Sequence, residues 1–230
     1  MNMLNPDVHQ VVALQEPSVN KKTLGTYYPL GYVMCMEPAL ETKVAFLISK
    51  KLNMNCWSFR WLSTLVAEIT LHVGGHFLRV VNIYSPITSR PEIIGWDTIA
   101  EVIRNNKMSC LIVGDFNCHH PLWGGTTAPR DNRAEHLFNS LTTEGLNLIT
   151  PTGIPKFRRR GRGEIIQETV IDLAFVTEDL MARVNCCTTR EHWSLRDDHI
   201  LIDISLDLFN DPKVEYQRYA YEKADIDKIK

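Results

Sequence analysis

The sequence has no apolar run near the ~18 residues that a membrane-crossing helix needs. Its opening, MNMLNPDVHQ, lacks both the basic and the apolar stretch of a secretory leader. There is no CxxC pair. The six cysteines are Cys35, Cys56, Cys110, Cys118, Cys186 and Cys187, and three of them lie in or beside apolar runs. That disfavours a disulfide framework and fits a reduced, intracellular compartment. A strong net charge is missing too: −2 over 230 residues excludes a surface that is basic all over. Neither a repeat nor a low-complexity linker divides the chain. With 44% hydrophobic and 23% charged residues, the composition is that of an ordinary globular domain.

What charge there is lies unevenly. KFRRRGR (156–162) holds five cations in seven residues and leaves −7 on the rest. Such a run is either a solvated hairpin tip or a local contact for a polyanion.

Short strands dominate the pattern. VVALQE (11–16), KVAFLIS (43–49), SCLIV (109–113), LNLIT (146–150), VIDLAFV (170–176) and HILIDISLDL (199–208) read as strands. LVAEITLHV and HFLRVVNIY, joined by Gly74–Gly75, read as a hairpin. Helical spacing appears over 91–106, and again over 132–145 with Asn132 as N-cap, Glu135 three positions on and Gly145 just past the end. A hairpin beside strand–helix alternation points to an α/β sandwich with mixed sheets.

Polar residues gather where these strands end. Glu16 closes the first. Asn82 and Tyr84 share a face at the end of the hairpin's second strand. Asp115 and Asn117 share a face after SCLIV, Asp172 interrupts an apolar strand, and Asp198–His199 precede the last. A lone strand-end carboxylate is often simply solvated. Five such places make convergence on one edge the stronger reading, because a core strand does not carry an unpaired charge. Carboxylates and an amide suit a hard divalent cation, and a carboxylate paired with histidine suits proton management.

In this order, ALQEP (13–17), NIYSP (82–86), VGDFN (113–117), TVIDLAF (169–175) and DDH (197–199) resemble the endonuclease/exonuclease/phosphatase superfamily, which includes DNase I-like and apurinic-site endonucleases. GDFN followed by HHPLWGG resembles, within it, the endonuclease domain of LINE-type non-LTR retrotransposons in the form found in fungal elements. The resemblance implies a four-layer α/β sandwich over 1–208, two packed mixed sheets flanked by helices. It also implies that the polar stretch 209–230 leads toward a reverse transcriptase in a longer polyprotein. The implied activity is Mg2+-dependent phosphodiester cleavage, with Mn2+ as a substitute. It nicks double-stranded DNA to leave a 3′-hydroxyl for target-primed reverse transcription, in the nucleus. A phosphatase of the same superfamily, or an inactive remnant of the nuclease, are the alternatives.

By position, the resemblance makes Glu16 and Asp198 metal-binding. Tyr84 lies near the scissile phosphate, Asp115 acts on the attacking water, and Asn117 is the amide beside it. Asp172 orients His199, which contacts the phosphate, and Thr169 stands three residues before Asp172. Lys156, Arg158, Arg159, Arg160 and Arg162 become DNA contacts. There are two departures. The family's first strand, of the form L-x-x-N-V, has no counterpart, since neither Asn2 nor Asn5 lies in a strand context. Asp197 replaces the usual Ser before Asp-His, adding a negative charge beside the phosphate site.

His119 and His120 suggest zinc at first sight. Neighbours in an extended chain point apart, and no further ligand stands at zinc spacing. The expected role for the pair is to order the loop.

Overall fold

The computed structural model describes residues 4–86, 108–161, 164–190 and 198–209, with the side chains of 160–161 and 164–166 excepted. The strands are β1 (Val11–Gln15), β2 (Tyr32–Cys35), β3 (Val44–Ser49), β4 (Trp57–Ser63), β5 (Val66–Val73), β6 (His76–Tyr84), β7 (Ser109–Asp115), β8 (Leu146–Leu148), β9 (Phe157–Gly161), β10 (Glu164–Thr169), β11 (Asp172–Thr177), β12 (Val184–Arg190) and β13 (Leu201–Leu206). The α-helices are α1 (Pro121–Gly124), α2 (Asn132–Thr143) and α3 (Glu178–Met181). The predicted helix over 91–106, Asp197, the Arg162 side chain and residues 210–230 lie outside the described residues.

A six-stranded sheet runs in the order β4-β5-β6-β7-β11-β8. Only β6 and β7 in it are parallel, which makes the sheet mixed. Alternation along each strand gives it two apolar faces. Val81, Ile83, Cys110, Ile112, Leu173 and Phe175 pack on one side with Phe116, Trp123 and the buried face of α2. Val80, Leu111 and Val176 pack on the other against β1-β3-β2 and β12-β13. The protein is therefore an α/β sandwich, as the strand pattern implies.

Two sheets stacked face to face need register, and Asn82 supplies it. It is fully buried. Its amide donates to Leu14 O and Ala45 O, both at 2.9 Å, and accepts from Gln15 Nε2 at 2.5 Å. One buried polar group thus ties β6 to β1 and β3 with both ends of its amide bonded, which is what burial of an amide demands.

The Gly74–Gly75 turn forms as read, both residues at positive φ, 60° and 81°. Gly114 serves closeness instead: a Cβ there would stand 1.9 Å from Ile83 O. The predicted cap of α2 moves by one residue. Asp131, not Asn132, caps it by accepting from Arg133 N at 2.8 Å. Glu135 then reaches back to His120 rather than closing a capping box. Strands β2, β4 and β12 and helices α1 and α3 are not in the sequence reading. β12, VNCCTTR, is a polar, half-exposed strand with no hydrophobic alternation to betray it.

Candidate active site

The strand ends converge. In the β6–β7 register Tyr84 is opposite Asp115, and in the β11–β7 register Asp172 is opposite Asp115. These three residues make one row across three adjacent strands. They share parity with Val80, Leu111 and Val176, so they belong to the inter-sheet face, at its rim. Phe116, between Asp115 and Asn117, has the opposite parity. It is fully buried in the other core, edge-on to Phe175 with ring centroids 5.8 Å apart. That anchor aims its two polar neighbours at the rim.

Asp115 is buried. It accepts from Asn117 N at 3.0 Å and from Asn117 Nδ2 at 2.9 Å. Asn117 has a left-handed backbone, φ 46°, a conformation that Asn tolerates better than most residues. Burial, and then the Asp172 charge, push the Asp115 carboxyl up to about 7, while His199 and Asn117 oppose that rise. His199 Nδ1 lies 2.9 and 3.2 Å from the two oxygens of Asp172. Burial alone would lower the imidazole. The bond to Asp172 and the charges of Asp172 and Asp115 outweigh it and raise His199 to about 9. At about 9, His199 favours the imidazolium at neutral pH, bonded to the buried Asp172. Burial pushes the Asp172 carboxyl upward, against the pull of His199 and Lys156.

Donor atoms of Asp115, Asp172 and His199 lie within 4.8 Å of one another. An imidazolium is a poor metal ligand, so the oxygen donors carry any cation-holding role. Glu16 stands at the end of β1 with φ 47°, an uncommon conformation for Glu. It accepts from Lys43 Nζ at 2.9 Å and bonds the Tyr84 hydroxyl. The Lys43 bond holds its carboxyl below the ordinary range, burial opposing. Asp198 is exposed beside His199. Lys43, which the sequence reading did not single out, thus brackets Glu16 and lies 5.7 Å from the centroid of the Tyr84 ring. Its only signal was its position at the start of an apolar strand.

The basic segment is part of this wall. Arg158 N donates to Asp198 O at 2.7 Å, and Ile200 N donates to Lys156 O at 2.6 Å. The Phe157 ring packs on His199 at 5.0 Å, and Thr169 is opposite Phe157 at the base of the same hairpin. The expected DNA contacts separate here. Lys156 is corrected: it has no exposed surface, and its ammonium donates to Pro151 O and Ile154 O. Burial brings it down to about 8. It cannot meet a phosphate, because it points into the wall rather than out of it. Arg158 bonds Glu168 across the hairpin at 2.7 Å, so its charge is largely compensated. Arg159 is exposed. The side chains of Arg160 and Arg162 lie outside the described residues.

The two histidines after GDFN hold architecture. His120 is buried, accepts from Leu122 N at 3.1 Å to cap α1, and bonds Glu135 of α2 at 2.8 Å. His119 O accepts from Asp131 N at 3.0 Å.

Residues 78–203, over half of the chain, match the family described as endonuclease-reverse transcriptase. The chain belongs to the endonuclease-reverse transcriptase family. The endonuclease domain of TRAS1, a telomere-specific non-LTR retrotransposon, superposes with TM-score 0.69 at 18% identity, covering 87% of each chain. The AP endonuclease LMAP from Leishmania major gives 0.68 at 11%, covering 86% of this chain and 78% of that one. A 3′-5′ exonuclease from Neisseria meningitidis gives 0.62 at 17%, covering 86% and 89%. At these identities the likeness shows the fold, which is DNase I-like. No curated protein matches by sequence. As an endonuclease-reverse transcriptase family member, the chain is a hydrolase of the nuclease and phosphatase superfamily. The carboxylate oxygens of its Asp/Asp/His cluster fit the divalent-metal dependence typical there.

Proposed function

We propose that this protein is a Mg2+-dependent DNA endonuclease that nicks one strand of a duplex. The 3′-hydroxyl it leaves primes reverse transcription of a non-LTR retrotransposon, of the form found in fungal elements, by a reverse transcriptase domain of the same polyprotein. The setting is the nucleus. The observation that carries the reading is the row Tyr84–Asp115–Asp172 with His199 bonded to Asp172.

That row divides the labour. Asp115, near 7, accepts a proton at neutral pH from water placed beside it, and Asn117 fixes its oxygens. His199 keeps its Nδ1 proton on Asp172 and has the Nε2 N–H for a phosphate oxygen. Tyr84 and Thr169 border the space where that phosphate sits. Glu16 and Asp198 offer hard oxygen donors that suit Mg2+. A bound Mg2+ supplies charge neutralisation at the phosphate and the leaving oxygen. Exposed Arg159, with Arg160 and Arg162 of the same KFRRRGR run, contacts the DNA backbone.

The test is conversion of supercoiled plasmid to open circles with Mg2+, abolished by EDTA and by Asp115→Asn. Turnover of phosphomonoesters with no plasmid nicking would replace this reading with a phosphatase.

A further inference from the structure

A further cation stands near the row. Arg133, the second residue of α2, donates from Nη2 to Ser85 Oγ at 2.8 Å. Ser85 is fully buried, follows Tyr84 directly, and donates its amide to Asp115 O at 2.8 Å. The guanidinium is therefore tethered one residue beyond the catalytic row. Its position is set from behind. Asp131 accepts from Arg133 N, His119 O holds Asp131 N, and the His120–Glu135 bond clamps the same helix turn.

Its partner differs from those of three other arginines. Arg79 lies 2.5 Å from Glu68, Arg158 2.7 Å from Glu168 and Arg190 2.7 Å from Asp203. Arg133 is half-buried like Arg158 and Arg190, yet among the described residues its guanidinium bonds a hydroxyl and no carboxylate. A guanidinium has five N–H donors in a rigid fork. One is committed to Ser85. Partial burial of a cation is unfavourable without an anion to meet it. The anion that matches a free guanidinium fork is a phosphate or carboxylate held by two parallel bonds.

We propose that Arg133, held in place by the buried Ser85, forms a second phosphate subsite, which binds the phosphate next to the one cleaved on the same strand. This rests on the nuclease reading and sharpens it. A monoester has one phosphate and gains nothing from a second subsite, whereas a polynucleotide always presents the next. The subsite thus favours a polymer substrate over a small phosphoester. It also gives the His119–His120 segment a consequence at the site, since that segment holds the helix turn that carries Arg133.

The experiment uses the full chain and its Arg133→Ala, Arg133→Lys and Ser85→Ala variants. Plasmid nicking is followed over a series of salt concentrations, beside hydrolysis of bis(p-nitrophenyl) phosphate. Binding of a labelled duplex oligonucleotide is followed in EDTA over the same salt series. For Arg133→Ala the expected result is a ~10–100-fold loss of kcat/KM on DNA, mostly in KM, from a lost charged hydrogen bond. Small-diester hydrolysis stays unchanged. The slope of log affinity against log salt falls by about one. Arg133→Lys keeps the slope and recovers part of the KM, because charge remains but the fork does not. Ser85→Ala moves KM the same way by less. The proposal is overturned if Arg133→Ala retains the wild-type slope and KM, or if DNA and the small diester lose rate alike. If Arg133→Ala does not fold, judged by its thermal transition, Arg133→Lys decides by its KM on DNA. If the wild type nicks no plasmid, the nuclease reading falls, and the duplex-binding slopes still decide the subsite.

Discussion

Asp172→Asn removes the charge that keeps His199 protonated. In the native site His199 is raised from 6.5 to about 9. A span of ~2.5 pH units corresponds to ~3.4 kcal/mol between the two protonation states. That is an upper bound, because the imidazole side chain is 42% exposed. Solvent screening reduces the coupling to ~1–2 kcal/mol. The sign is that of a raised base: the pair's stabilisation is complete below about 6.5 and lost as pH rises through about 9. In the variant, burial is opposed only by the Asp115 and Asp198 charges, and the His199 midpoint falls toward ~6.5. At pH 8 the imidazolium fraction then drops from ~90% to a few per cent. At pH 6 it changes little. Plasmid nicking should therefore lose ~10-fold more at pH 8 than at pH 6, and an NMR titration of the His199 ring should show the midpoint moving. A midpoint in Asp172→Asn within half a unit of wild type would refute the reasoning, whatever happens to activity.

Wild-type nicking at limiting Mg2+ should follow a bell in pH, rising as Asp115 ionises near 7 and falling as His199 loses its proton near 9, measured as initial rates. Asp115→Asn should lower kcat ~10²–10⁴-fold while duplex binding in EDTA persists. Phe116→Ala empties a fully buried site and should cost ~3–5 kcal/mol in urea unfolding, with the loss of Asp115–Asn117 aim seen in kcat as well. Gly114→Ala places a methyl 1.9 Å from Ile83 O, so β6 and β7 must part; ~1–3 kcal/mol of destabilisation is expected, and an unchanged urea midpoint would contradict the packing.

Much of this site was legible because its residues interrupt apolar strands. Asp115 and Asp172 stand where hydrophobic alternation breaks, and parity alone put Asn82 with Tyr84. Parity does not reveal which neighbour a polar side chain meets. Asn82 and Tyr84 share a face, yet one locks the two sheets together while the other borders the chemistry. Lys156 misled for a related reason. A run of cations reads as one solvated feature, but Lys156 stands at a bend just before β9 and turns inward onto carbonyls that no local pattern announces. Arg133 lay hidden because it opens an amphipathic helix, where an exposed cation is the ordinary expectation. Only the tertiary approach of that helix to Ser85 gives it a neighbour.

Lys156 has one more consequence. A primary amine with no exposed surface, lowered to about 8, has a larger neutral fraction near pH 7 than an ordinary lysine, yet lies out of reach of reagents. Acylating probes will modify the other lysines first, and Lys156 only when the 151–157 segment swings away from Asp172 and His199. Its labelling rate, read by peptide mass, is thus a clock for the breathing of the catalytic wall. It runs without substrate, metal or turnover.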